Sequence, residues 1–344
     1  MLLRVVRLGG IVLLLLGVGF VLMLTLAWIA APDKTPSIVI SQGVAQFFNA
    51  LAAGGIYALV AVGYTMVYGI IELINFAHGD VMMIGAFVAY FVATGLLNIN
   101  GSIADPLLLA GALALMFLIT MPLLGLLGVG IERFAYRPLR NAPRLAPLIT
   151  AIGVSFILNN LVQVYTSSPV PTPQLISLQS RFTILGASIP WLYVVIFAVA
   201  IGLMVALQLF VGRTRLGRAM RSTAQDREAA QLMGVDINTT IAVTFFIGSA
   251  LAGAAGIIYG LYYGQIQFTI GFFAGLKAFT AAVLGGIGNT VGAALGGLII
   301  GFIEVAAVVI GLPRWSEALV FAVLIIVLVM RPSGLLGVSQ AERA

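Results

Sequence analysis

Cysteine is absent from the 344 residues, histidine occurs once, and only 8% of the chain is charged. The missing cysteines exclude disulfides, thiolate nucleophiles and zinc ribbons, and a single histidine cannot build a multi-histidine metal site. An ordinary soluble domain carries roughly a quarter charged residues, so the lack of charge excludes a soluble reading. Lysine is scarce as well, with Lys34 and Lys277 set against a majority of arginines. No GxxxxGK[ST] phosphate loop occurs, so the chain has no nucleotide site of that kind. "GGIGNTVG" has the wrong glycine spacing and no preceding strand for a dinucleotide fingerprint. No cofactor is expected.

What is present is apolar: 61% hydrophobic residues and 40 glycines, with a mean hydropathy of +1.15. Glycine is commoner in membrane helices than in soluble ones. The predicted class is all-α, a polytopic integral membrane helical bundle. A helix needs about 20 apolar residues to cross the hydrocarbon core. Apolar runs predict about ten spans, near residues 8–30, 42–70, 79–97, 107–130, 147–167, 190–211, 241–264, 274–287, 290–311 and 315–330. The eighth is short, about 21 Å at 1.5 Å per residue, which suits a half-helix or re-entrant segment.

The net charge of +6 would point to anionic partners in a soluble protein. In a membrane protein, arginines mark cytoplasmic loops, and no nucleic-acid partner is predicted. An N-terminus placed inside puts Arg4, Arg7, Arg133, Arg137, Arg140, Arg144, Arg213, Arg215, Arg218, Arg221, Arg227, Arg331 and Arg343 on the cytoplasmic side. Lys34, Arg181 and Arg314 fall outside, and Lys277 is expected near a membrane face. Arg4 and Arg7 ahead of a long apolar run also resemble a signal peptide. A retained helix is the favoured reading because the run is long for a signal; cleavage would leave nine spans.

Three segments carry polar chemistry. The first is the loop "GRTRLGRAMRSTAQDREAAQLMGVDINTT", polar yet rich in helix formers. Its small and apolar residues suit a short helix at the membrane face or against a partner. Gly234 is expected to stop that helix, and Asn238 or Thr239 to cap the next span. By charge alone the loop also fits a solvated positive-inside connection.

The second segment is "INFAHGDVMMIG", Ile74–Gly85, with Asn75, His78, Gly79 and Asp80 in a break between two helices. A catalytic His78 has neither a nucleophile nor metal partners here. Direct substrate contact through freed backbone groups is a second reading. The favoured reading is a structural and gating joint near the cytoplasmic face, with Asp80 complementing a helix N-terminus. The third segment holds Gly285, Gly286, Gly288 and Asn289, which either line a cavity near the midplane or make a tight turn at the cytoplasmic end. Glu304, inside a span, is expected to face a polar partner or the pore. Ala252, Gly256, Gly260 and Gly264, with Gly288, Gly292 and Gly296, form small-residue stripes suited to close helix packing.

Taken together, "YALVAVGYTMVYGIIELINFAHGDVMMIGAF", "IERFAYRPLR", "GRAMRSTAQDREAAQLMGV" and "GLKAFTAAVLGGIGNTVGAALGGLIIG" closely resemble the permease of bacterial branched-chain amino-acid ABC transporters, from about residue 42 to 337. That resemblance implies residues 1–40 as an added helix and linker, a permease domain over 41–337, and a short tail over 338–344. It implies an inner-membrane, non-enzymatic subunit with a second related permease, two cytoplasmic ATPases and a periplasmic amino-acid-binding protein as partners. The long loop then resembles the ATPase coupling loop, with Gly217, Arg218, Arg221, Asp226, Ala230 and Gly234 as its residues. Gly285, Gly286, Gly288, Asn289 and Glu304 become candidates for the translocation path. Relatives with similar motifs carry urea or short amides. A self-sufficient ion-coupled transporter is the rival class, and it lacks the several deep acids such coupling needs.

Overall fold

The computed structural model describes residues 2–140, 142–143 and 145–337, with side chains from residue 10 onward. Arg144, Arg343, the tail 338–344 and the side chains of Arg4 and Arg7 lie outside the described residues. Among the described residues twelve α-helices follow one another: α1 (Leu2–Ala30), α2 (Pro36–Ile71), α3 (His78–Phe91), α4 (Pro106–Ile131), α5 (Leu145–Tyr165), α6 (Trp191–Arg213), α7 (Arg215–Gln225), α8 (Arg227–Leu232), α9 (Ile237–Tyr263), α10 (Ile270–Gly285), α11 (Thr290–Val309) and α12 (Ser316–Met330). Among the described residues nine helical segments are long and apolar enough to cross a membrane, and Ile270–Gly285 is a shorter apolar helix of 16 residues. The protein is a multi-pass membrane protein.

The helices form an inner and an outer layer. α2 is buried on every side from Ala50 to Val67, the pattern of a core helix that is apolar all round. α11, α9, α1, α6 and α10 pack around it. The outer helices α4, α5, α6 and α12 instead leave apolar residues such as Leu118, Phe156, Val205 and Ile326 exposed, which is where a protein in lipid keeps its surface grease.

Small residues set the closest approaches. A Cβ on Gly297 would run into the backbone of Ala58, and one on Gly301 into the backbone of Gly54, so α11 lies directly on α2. Gly256 meets Met82 and Ala86 of α3 in the same way. The glycine stripes therefore serve packing within the chain. Two expected stripe members fall outside helices: Gly264 ends α9 with φ 69°, and Gly288 sits in the α10–α11 turn with φ 89°.

Side chains cap several starts. Asp105 accepts from the amides of Leu107 and Leu108 at α4, and Asn289 from Val291 and Gly292 at α11. The cap of α9 is Asp236, not Asn238 or Thr239, because its carboxylate accepts from both of those residues' amides. The end of α3 (Val92–Leu96) and the end of α4 (Glu132–Tyr136) widen into π-helical turns.

At one end, segments 132–140, 213–240, 286–289 and 331–337 converge. Arg140 bonds Asn238, Arg227 bonds the Ile70 carbonyl, Asn289 bonds the Leu336 carbonyl, and Gly69 faces Gly288. This is the arginine end. The other end carries a β-hairpin, β2 (Arg181–Ile184) with β3 (Ala187–Pro190), and a short pairing of β1 (Val170–Pro171) with β4 (Gln265–Ile266).

Candidate functional site

The break after α2 is built from its own residues. Glu72 ends the helix in the left-handed region, φ 56°, and its amide still bonds the Tyr68 carbonyl. Asn75 then folds the chain back: its Oδ1 accepts from the Ala77 amide at 3.2 Å and from the Tyr136 hydroxyl at 3.1 Å. His78 is fully buried, with its ring centroid 4.7 Å from that of Tyr64, and a Cβ on Gly63 would strike its imidazole. Gly63 lies 8 residues before Ile71, so α3 starts about 12 Å inside the bundle at 1.5 Å per residue. That corrects the expectation of a joint at the cytoplasmic face: the break begins at the arginine end, but its exit is deep.

At that depth two helix N-termini meet. Gly79 is packed so tightly on Gly271 and Gly275 of α10 that a Cβ would overlap the Gly271 carbonyl oxygen. Asp80, in the first turn of α3, is 1% exposed. Its Oδ2 accepts from the Ser155 hydroxyl of α5 at 2.5 Å, while its Oδ1 has no hydrogen-bond partner among the described residues. Asn159, one turn further along α5, donates to the Phe268 carbonyl at 2.8 Å.

Beside this junction lies a cavity of about 520 Å³. Tyr64, Ser155, Asn159 and Thr269 give it a few polar groups, and Phe156, Phe272 and Phe279 are among its apolar walls. It opens between α5 and α10, where Phe156 and Phe272 are exposed. Such a lining, mostly apolar with a handful of oriented polar groups, is the usual make-up of a small-molecule site. Ser155 and Asn159 were not singled out from the sequence, although both interrupt the apolar run of "SFILNN".

Glu304 finds its polar partner inside the protein. Lys277 Nζ lies 3.1 Å from its Oε1, with side-chain exposures of 10% and 17%, and the same ammonium stands over the Tyr57 ring at 5.6 Å. Tyr57 and Tyr263 hydroxyls are 3.1 Å apart. Lys277 is buried on α10 and ties that helix to α11.

The glycine-rich turn is at the arginine end, not the midplane. Gly286 (φ 106°) and Gly288 (φ 89°) let α10 reverse into α11, and Gly285 fits against the Gly292 carbonyl. The amides of Leu335 and Leu336 bond the carbonyls of Leu284 and Gly285, so these two carbonyls at the end of α10 are satisfied by segment 331–337.

The long loop forms two helices where one was expected. Thr214 caps α7 by accepting from the Gly217 amide at 2.9 Å, and Gly217 itself is buried against the end of α6. Arg221 bonds the Val211 carbonyl. Asp226 breaks the helix and caps α8 through the Ala229 amide at 2.9 Å. Ala230 is buried, Gly234 turns the chain with φ 84°, and Arg227 anchors the pair to the end of α2. Arg218 is exposed on α7. At the tip, Leu232 and Met233 are 88% and 85% exposed. Next to the loop, the buried Glu132 pairs with Arg137 at 3.3 Å and with Arg140. Hydrogen bonds from Thr239, above all, hold the Asp236 carboxyl below the ordinary carboxylate range.

Comparison with known proteins agrees with this architecture. The family model for the branched-chain amino acid transport system permease component matches residues 46–328. The chain is 45% identical over 302 residues to the high-affinity branched-chain amino acid transport system permease protein BraD of Pseudomonas aeruginosa, covering 87% of this chain and 97% of that one. It is 43% identical to LivH of Escherichia coli K12, covering 87% and 96%. A more distant similarity, 23% over 251 residues, covering 68% of this chain and 67% of the relative, is to the fructose import permease protein FruG of Bifidobacterium longum. No solved structure matches. With the family model matching most of its length, and two relatives above 40% identity, the chain belongs to the family of branched-chain amino acid transport system permeases.

Proposed function

We propose that the chain is the membrane-spanning permease of an ATP-driven importer of branched-chain amino acids, working with ATPase subunits it does not contain. The observation that carries this reading is the tip of the α7–α8 loop. Leu232 and Met233 stand exposed on a segment fixed by Arg227 to α2 and by Asp226 to its own backbone. Two large apolar side chains held rigid in the aqueous layer are a docking knob, because burying each stabilises a complex by roughly 1.5–3 kcal/mol. With no phosphate-binding loop in the sequence, the partner at this knob supplies nucleotide hydrolysis.

The arginine end faces the cytoplasm, following the positive-inside bias, and the membrane is the bacterial inner membrane. Movement of the loop reaches α2 through Arg227 and Ile70, and α2 touches every inner helix. Gly217, Arg218, Arg221, Asp226, Ala230 and Gly234 form and position the coupling segment. Asn75, His78, Gly79 and Asp80 form the joint that re-aims α3 against α10 when the loop moves. The cavity between α5 and α10 is part of the path, and its open, aromatic-rimmed side faces a second, related permease. A periplasmic binding protein delivers substrate at the hairpin end.

The lining favours an aliphatic amino acid over a sugar, whose many hydroxyls would each require a hydrogen-bond partner on leaving water. Reconstitution tests the reading. Proteoliposomes holding this permease, its partner permease, two ATPases and the binding protein should take up leucine only with ATP. Uptake by this chain alone, driven by an ion gradient, would overturn it.

A further inference from the structure

Asp80 presents an imbalance. Its carboxylate is 1% exposed, accepts a hydrogen bond from Ser155, and leaves Oδ1 without a partner among the described residues. No salt bridge to Asp80 forms among the described residues. A buried carboxylate without a cation is costly and is ordinarily paired. The N-termini of α3 and α10 offset part of this charge, since each presents the positive end of a helix. They do not supply the missing hydrogen-bond donor at Oδ1. That oxygen lies directly against Gly271, a wall residue of the 520 Å³ cavity, and Ser155, its one donor, lines the same cavity.

The missing counter-charge and the transported molecule match. A zwitterionic amino acid carries an ammonium with three donors, and its aliphatic side chain suits the phenylalanine walls. A Cβ on Gly271 would overlap Oδ1, so the absence of a side chain there is what lets Oδ1 come up against this cavity-wall residue. Resting on the permease reading above, we propose that Asp80, with Ser155 and Asn159, receives the α-ammonium of the amino acid as it passes through this cavity. The site is transient: one carboxylate and two neutral groups hold an ammonium long enough to orient it and not so tightly as to trap it. Asn159, bonded to the Phe268 carbonyl, keeps the loop ahead of α10 in place beside the ammonium.

The chain has no cysteine, so a single Ile152→Cys on the cavity wall reports occupancy through its rate of reaction with a small thiol reagent. The experiment uses the complete reconstituted transporter. Saturating leucine should slow labelling several-fold. Isoamylamine, which keeps the ammonium and lacks the carboxylate, should also slow it, whereas 4-methylpentanoate, the reverse, should not. Asp80→Asn should remove protection by leucine, read as the ratio of its labelling rates with and without the amino acid.

Full leucine protection in the Asp80→Asn protein, or equal protection by 4-methylpentanoate, would overturn the assignment and reduce Asp80 to a helix-end residue. The analogue comparison needs no change at Asp80, so it decides even if that variant fails to assemble. Intact ATP-driven leucine uptake together with protection blind to the ammonium would refute this inference and leave the permease reading standing. A parent transporter that carries no leucine would overturn both.

Discussion

Replacing Lys277 by methionine keeps most of the side-chain volume and removes only the charge. The loss leaves Glu304, 17% exposed, beside Tyr263 and with its other oxygen already unpartnered. Stranding one member of a buried pair costs about 3–5 kcal/mol. The lower figure applies, because Glu317, 3.9 Å from Lys277 and half exposed, marks a route for water that softens the loss. Glu304→Gln should cost a similar amount: Lys277 would keep Glu317 and the Tyr57 ring, the latter interaction worth roughly 0.5–2 kcal/mol. The double variant strands neither charge, so its loss should be about 3 kcal/mol or less instead of the ~6 kcal/mol of two independent losses, a coupling of about 3 kcal/mol. Unfolding of the purified protein by SDS in mixed micelles measures all three. Strict additivity, or single losses under about 1 kcal/mol, would refute the view that this pair holds α10 to α11 and would return Glu304 to the list of path-facing groups.

Three further outcomes follow from named contacts. Leu232→Asp with Met233→Asp should weaken ATPase binding at least ~100-fold, since burial of the two side chains is worth about 3–6 kcal/mol in all; unchanged affinity in a pull-down titration would remove the knob from the account. Gly297→Leu should prevent assembly, because the Ala58 backbone cannot move aside for it, while Gly153→Ala, which meets nothing within 4 Å, should leave yield and thermal stability within error. Asp226→Ala removes the cap on Ala229 and should cost about 1 kcal/mol locally, seen as faster amide exchange across Arg227–Leu232; exchange no faster than in the parent would mean that α8 is held by its packing alone.

Hydropathy made the long helices readable because each must satisfy its own backbone in lipid. The expected span 107–130 differs from Pro106–Ile131 by one residue at each end. The short span was legible as well, although it begins at Ile270, where the sequence pattern gave 274. What the sequence hid is pairing across the fold. Lys277 in an apolar stretch reads as a residue near a membrane face, and only α11 packed alongside, with Glu304 3.1 Å away, shows its buried partner. The depth of His78 was likewise invisible, because it depends on residues 72–77 folding back along α2, through Asn75 and the distant Tyr136. The Leu185–Gly186 hairpin turn lacks the Asn-Gly or Asp-Gly signature, so the β2–β3 pair could not be read. The α10–α11 turn was placed at two depths by its glycines; the C-terminal strand of contacts from Leu335 and Leu336 settles which.

In the proposed transporter the α7–α8 tip meets an ATPase on the cytoplasmic side. A Met233→Cys protein, carrying the only cysteine in the chain, can be probed with a membrane-impermeant thiol reagent from each side of the membrane, with and without the ATPase subunits. Labelling should occur only from the cytoplasmic side and should fall sharply when the ATPases are bound. Labelling from the outside of intact cells, or labelling from the cytoplasmic side that is equally fast in the assembled transporter, would contradict it.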